Sequence, residues 1–209
     1  MNRKLFDYIA ASPSPYHAVA HSAETLRAAG FLPLSEGEDW DLTPGQGYYV
    51  TRNGSSLIAF RARRDFSGFL MTASHCDSPT FKIKENAELT GSGCRRLAVE
   101  KYGGMLMSTW MDRPLGIAGR VLLRKGSGIE SRLLDLGGAC AVIPNVAIHM
   151  NRKANDGYSW NPAVDLLPLW GSGEEKGFFR PTLAMALACR EEDILATDLA
   201  LYNPQEGVE

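Results

Sequence analysis

The groups able to do chemistry are few, and the sharpest local cluster is Ser74-His75-Cys76-Asp77-Ser78-Pro79. In extended backbone, residues i and i+2 face the same side, so His75 and Asp77 project together. A metal-bound imidazole usually gives its other N–H to a carboxylate or carbonyl, which fixes its tautomer. The pair suits a metal ligand, His75, held by a supporting carboxylate, Asp77. A three-residue pattern also arises by chance, and the simpler local reading is a plain turn in which Asp77 and Ser78 bond their own backbone before Pro79. Spacing alone leaves both readings open. Cys76 points the other way, as a thiolate ligand or, more simply, a small buried thiol.

His149 lies in Asn145-Val146-Ala147-Ile148-His149-Met150-Asn151-Arg152. Alternation places Val146 and Ile148 on one face and Ala147 and His149 on the other, as in a half-exposed strand. His17 and His21 are four apart on a helical pattern, a spacing that can bind metal. No cysteine or carboxylate supports them, so a solvated helix face is expected. Asp112-Arg113-Pro114 reads as a turn with a local ion pair, or as a contact surface between domains or subunits. There is no H-E-x-x-H, G-x-S-x-G, G-x-x-x-x-G-K-[ST] or G-x-G-x-x-G, which removes the commonest zinc-protease, serine-hydrolase and nucleotide-binding signatures.

The elements that must position these groups change character along the chain. Leu5, Phe6 and Ile9 share one face of a short helix ending at Ser12-Pro13. Ser14 is an N-cap and Pro15 a first helical residue for a second helix, whose apolar positions run Tyr16, Val19, Ala20, Ala23 and Leu26 and which stops at Gly30. Residues 48–51 and 57–63 read as strands joined by Arg52-Asn53-Gly54. Residues 69–73 read as a buried strand whose polar end carries His75, the place where open α/β sheets put their sites. A short strand is expected over residues 81–84. After about residue 88 the texture is β, with short segments such as 105–111 and 117–124 between Gly-rich breaks. A helix over 182–189 and a last strand over 194–202 close the pattern.

Composition bounds the function. The chain has 209 residues, 44% of them hydrophobic, which supports a real core. The net charge of −2, with interspersed signs, gives no footprint for nucleic acid or an anionic membrane. No apolar run is long enough to span a bilayer. The basic start Met1-Asn2-Arg3-Lys4 lacks the apolar core of a signal peptide. Cys76, Cys94, Cys140 and Cys189 show no C-x-x-C spacing, and scattered cysteines suggest reduced thiols and a cytoplasmic setting.

Read in order, several stretches together resemble the aspartyl aminopeptidases. They are Ser12-Pro13-Ser14-Pro15-Tyr16-His17-Ala18-Val19, Gly47-Tyr48-Tyr49 with Arg52-Asn53, His75-Cys76-Asp77-Ser78-Pro79, and Val99-Glu100-Lys101-Tyr102-Gly103-Gly104. They continue with Thr109-Trp110 and Asp112-Arg113, residues 115–121, Ile143-Pro144-Asn145-Val146-Ala147-Ile148-His149, and Asp193-Ile194-Leu195. The one local departure is Cys76, where the family commonly has Thr.

The resemblance implies an α/β peptidase domain interrupted by a β-rich, barrel- or sandwich-like dimerisation domain, α+β overall. Residues 1–88 would be the first piece of the peptidase domain. Residues 89–209 would be the inserted domain and the start of the return. It implies a zinc aminopeptidase that removes acidic N-terminal residues from peptides, with two zinc ions in the complete enzyme (manganese or cobalt as alternatives) and self-association into dimers and a larger homo-oligomer. His75 matches the first zinc ligand, Asp77 the residue supporting it, and His149 a histidine lent to a neighbouring subunit's active site. The family's bridging aspartate, catalytic glutamate and remaining ligands fall later than Glu209, and Glu174-Glu175 does not match the catalytic pair. The expectation is that this chain alone is inactive. The other reading is a non-catalytic assembly module that pairs through its β-rich part, with Met105, Met107 and Met111 either exposed for pairing or placed in a core.

Overall fold

The N-terminal helices begin where local chemistry dictates. In the computed structural model, which describes residues 2–65 and 67–208, α1 spans Asn2–Ala10 and α2 spans Pro15–Ala28. The Ser14 hydroxyl accepts the His17 N–H at 3.4 Å, Pro15 opens the helix without wasting a donor, and Gly30 at φ +81 ends it. The chain divides into two compact units, one up to Ser78 and the other Pro79–Val208.

In the first unit, β1 (Leu32–Pro33) runs parallel to β2 (Gly47–Arg52), which pairs antiparallel with β3 (Ser56–Arg61). Asn53 and Gly54 both take positive φ in the connection, the backbone sense that matches strand twist. Tyr48, Tyr49 and Val50 are buried, and Arg27 of α2 donates to the Tyr49 hydroxyl at 3.0 Å.

The buried strand expected over 69–73 does not form. That segment has no strand assignment, and Phe69, Leu70 and Met71 are 79%, 101% and 80% exposed. An apolar run becomes an inner strand only when neighbours cover both its faces. Among the described residues this sheet ends at three strands, and none pairs with 69–73.

The second unit is one six-stranded sheet. Its strands are β4 (Thr80–Gly91), β5 (Cys94–Tyr102), β6 (Gly116–Lys125), β7 (Gly128–Asp135), β8 (Leu169–Ser172) and β9 (Ile194–Tyr202), in the order β7-β6-β9-β4-β5-β8. Three isolated bridges complete the circuit: Val142 to Leu169 of β8, Ala141 to Leu115, and Ile143 to Met111. Because Leu115 leads straight into β6, residues 141–143 link the β8 edge back to the start of β6, and the sheet closes as a barrel.

Its interior holds Phe81, Leu97, Leu115, Ile117, Val121, Leu199 and Leu201, all at most 1% exposed. Each such aliphatic or aromatic side chain contributes about 1.5–3 kcal/mol relative to exposure. Helix α3 (Phe179–Ala186) buries Phe179, Leu183 and Ala184 in the same core.

Several expectations shift in this unit. The strand expected over 81–84 is the start of the twelve-residue β4, which carries a bulge between Ile83 and Glu88. Residues 105–111 are not a strand: Met107–Trp110 is a 3₁₀ turn, Met111 is buried, and Met105 and Met107 pack half-buried on the core. Of the two readings for these methionines, placement in a core holds for Met111, with Met105 and Met107 packed against the same core cluster. Helix α3 starts at Phe179 rather than at residue 182.

Candidate functional site

His75 and Asp77 are brought together. The imidazole Nδ1 stands 2.7 Å from the backbone carbonyl oxygen of Asp77 and 3.2 Å from its carboxylate Oδ1. A carbonyl oxygen only accepts, so Nδ1 carries the proton and donates. That leaves the Nε2 lone pair available on a side chain that is 80% exposed. Metal-bound imidazoles are commonly supported in this way, Nδ1–H to a carbonyl or carboxylate.

Cys76 is exposed, and its thiol donates to the Ser55 carbonyl at 3.1 Å. The buried thiol expected there is corrected for the same reason as the strand before it: no layer covers this segment.

The donor set falls short of a zinc centre. Zinc takes three or four protein ligands, and among the described residues no three His, Cys, Asp or Glu side chains converge. His75 and Asp77 supply part of such a centre. They do not fit a zinc ion on their own, and no hydrolytic step runs through them alone.

His149 belongs to the second unit, whereas His75 and Asp77 belong to the first. It sits in a turn closed by the Met150 N–H donating to the Ala147 carbonyl at 2.8 Å, not in a strand, and it is exposed. Side chains have taken the amides that a ladder would need. Asp112, at φ +57, accepts the Asn145 N–H at 2.8 Å, and the Asn145 side-chain carbonyl accepts the Val146 N–H at 2.9 Å. Asp112 thus anchors the His149 segment instead of pairing with Arg113. Spacing gave no sign of this role, since the two partners lie 33 positions apart.

The remaining sequence candidates have local uses. His17 Nδ1 lies 2.7 Å from the Ser14 hydroxyl, and the His21 ring lies 5.5 Å from that of Tyr8. Glu174 accepts the Gly93 N–H at 2.9 Å. No helix among the described residues is long and apolar enough to cross a membrane.

Residues 8–208 match the model of the aminopeptidase I zinc metalloprotease (M18) family. A probable M18 family aminopeptidase 2 from Pseudomonas putida (strain GB-1) is 41% identical over 217 residues, covering 99% of this chain and 50% of that protein. The structure is similar to one in a cryo-EM complex of Ape4 and Nbr1, with TM-score 0.91 and 33% identity over 97% of this chain and 44% of that one. It is also similar to the S. cerevisiae mApe1 dodecamer, with TM-score 0.78 and 27% identity over 99% of this chain and 48% of that one. The chain belongs to the M18 aminopeptidase family, and its α+β architecture is that of the family's solved structures. It spans about half the length of the curated relatives it matches.

Proposed function

We propose that this chain is the metal-approach half of a zinc metallo-aminopeptidase that removes N-terminal, preferentially acidic, residues from peptides in the cytoplasm. The observation that carries the reading is the His75 imidazole, whose Nδ1–H donates to Asp77 and whose Nε2 is left exposed. In this reading His75 is a zinc ligand, Asp77 orients it, and His149 serves a neighbouring subunit's site. Residues up to Ser78 belong to the peptidase domain, and the β barrel is the dimerisation insert. The other ligands of a two-zinc centre, together with the general base, belong to the half of the relatives' length that this chain does not span.

The test is an aspartyl- and glutamyl-peptide release assay with zinc, run on the chain alone and on the chain co-expressed with the unmatched half of the Pseudomonas putida relative. No turnover is expected alone. Reconstitution is expected to restore zinc-dependent release that His75→Ala abolishes. Turnover by the 209-residue chain alone, or reconstituted activity indifferent to His75→Ala, overturns the assignment.

A second reading, self-association through the barrel unit, is favoured by Val146, Ile148 and Met150, which are 54%, 49% and 79% exposed around His149. Size-exclusion chromatography with light scattering tests it. A dimer that Ile148→Asp disrupts supports it, and a monomer excludes it.

A further inference from the structure

A separate cleft of about 210 Å³ opens in the second unit beside the β4–β5 turn. Neither His75, Asp77 nor His149 lines it. Two opposite charges do: Arg96 of β5 and Asp165. The Arg96 Nε is shielded from solvent yet meets no hydrogen-bond acceptor. That Nε is out of a solute's reach, so the part of Arg96 able to meet a carboxylate in the cleft is its terminal pair of nitrogens, whose natural complement is a carboxylate. The guanidinium lies against Gly91, where an added Cβ would come within 3.2 Å of Nη2.

Asp165 is held in place by accepting the Asn161 N–H on Oδ2 at 2.8 Å. No ion pair within 4.0 Å joins it to Arg96. The Asp165 carboxylate in the cleft argues against a bare polyanion such as phosphate and supplies a partner for an ammonium group. The wall between the charges is apolar, made by Pro144, Val164, Leu167 and Leu169. The cleft has room for a small solute.

A cation, an anion and an apolar wall in one small cleft form the complement of a zwitterion with an aliphatic side chain. We propose that this cleft binds a free apolar α-amino acid, its carboxylate on Arg96, its ammonium on Asp165 and its side chain on the Pro144–Leu169 wall. The site does not depend on the role assigned to His75.

Saturation-transfer NMR and calorimetry of the purified chain with L-leucine test it. Saturable one-to-one binding is expected. Arg96→Met should weaken it about tenfold or more, while Arg96→Lys, which keeps the charge, retains part of it. Asp165→Asn keeps the Asn161 bond and should shift preference toward 4-methylpentanoate, which lacks the ammonium. Thermal melts by circular dichroism confirm that each variant is folded. An absence of saturable leucine binding, or binding undiminished in folded Arg96→Met, overturns the site. Wild-type affinity for 4-methylpentanoate equal to that for leucine overturns the zwitterion assignment, and so does tighter binding of inorganic phosphate than of leucine.

Discussion

The carboxylate of Glu88 accepts the backbone N–H of Phe179, the first residue of α3, at 3.1 Å, from ninety-one positions earlier in the chain. The same group takes the N–H of Gly177 at 2.8 Å and of Phe178 at 2.9 Å. Phe178, at the N-cap position, has no side chain able to cap, so a strand residue does the work of a missing local cap. Burial by itself would raise the Glu88 pKa. The three amides, aided by Arg95, outweigh it and hold the carboxyl below the ordinary glutamate range.

The sign of the pH dependence follows. With the folded pKa below the unfolded one, the unfolded chain binds more protons between the two values, and stability rises with pH there. The contribution is complete above the ordinary value near 4.3 and is lost as pH falls through the folded value. Glu88→Ala is expected to cost about 1–2 kcal/mol at neutral pH. Urea melts from about pH 3 to 6 should show a shallower acid loss in the variant than in the parent. Identical acid limbs would exclude this cap as the source.

Gly119 carries a different kind of constraint. It sits opposite Leu199 where β6 pairs with β9, and a Cβ there would collide with the backbone carbonyl of Asp198. Backbone cannot yield as the end of a side chain can, so Gly119→Ala is expected to cost about 3 kcal/mol or more. Chemical denaturation monitored at the barrel's tryptophans measures it, and a loss under about 1 kcal/mol would mean the two strands separate at little cost.

Where sequence and structure agree, the cause is local. Ser14-Pro15 carries its own capping chemistry, Asn53-Gly54 its own left-handed turn, and residues 194–202 the apolar content of a strand that appears with those bounds as Ile194–Tyr202. The i,i+2 spacing of His75 and Asp77 gave the pairing, although the shorter contact is to the Asp77 main chain. What escaped the sequence depends on distant partners. Residues 69–73 have strand composition but no covering layer, Glu88 caps a helix from across the fold, and the His149 segment is an irregular loop because Asp112 claims an amide of Asn145.

The exposure of His75 separates its role from stability. A side chain 80% open to solvent, bonded among the described residues to Asp77 of its own segment, holds no part of a core. His75→Ala is expected to leave the unfolding free energy within about 0.5 kcal/mol of the parent while removing zinc-dependent activity from the reconstituted enzyme. A large destabilisation measured by urea unfolding would instead make His75 a structural residue, and the activity loss would then carry no information about ligation.

Asp112 gives the complementary case, a residue whose effect falls on the segment carrying His149. Its left-handed backbone at φ +57 is one that Asp tolerates better than most side chains, and its Oδ1 holds the Asn145 amide at 2.8 Å. Asp112→Ala loses the acceptor and keeps the strained backbone, at an expected cost of about 1–2 kcal/mol. The loss should concentrate in residues 144–150, because the ladder ends at the Met111–Ile143 bridge and the barrel core does not depend on the turn beyond it. Amide hydrogen exchange is expected to quicken at Asn145 and Val146 and to stay unchanged in β6 and β9. Asp112→Asn, which keeps both an acceptor and tolerance of positive φ, should restore slow exchange. Uniform acceleration across the barrel would instead make Asp112 part of the global fold, and His149 would have no anchor of its own.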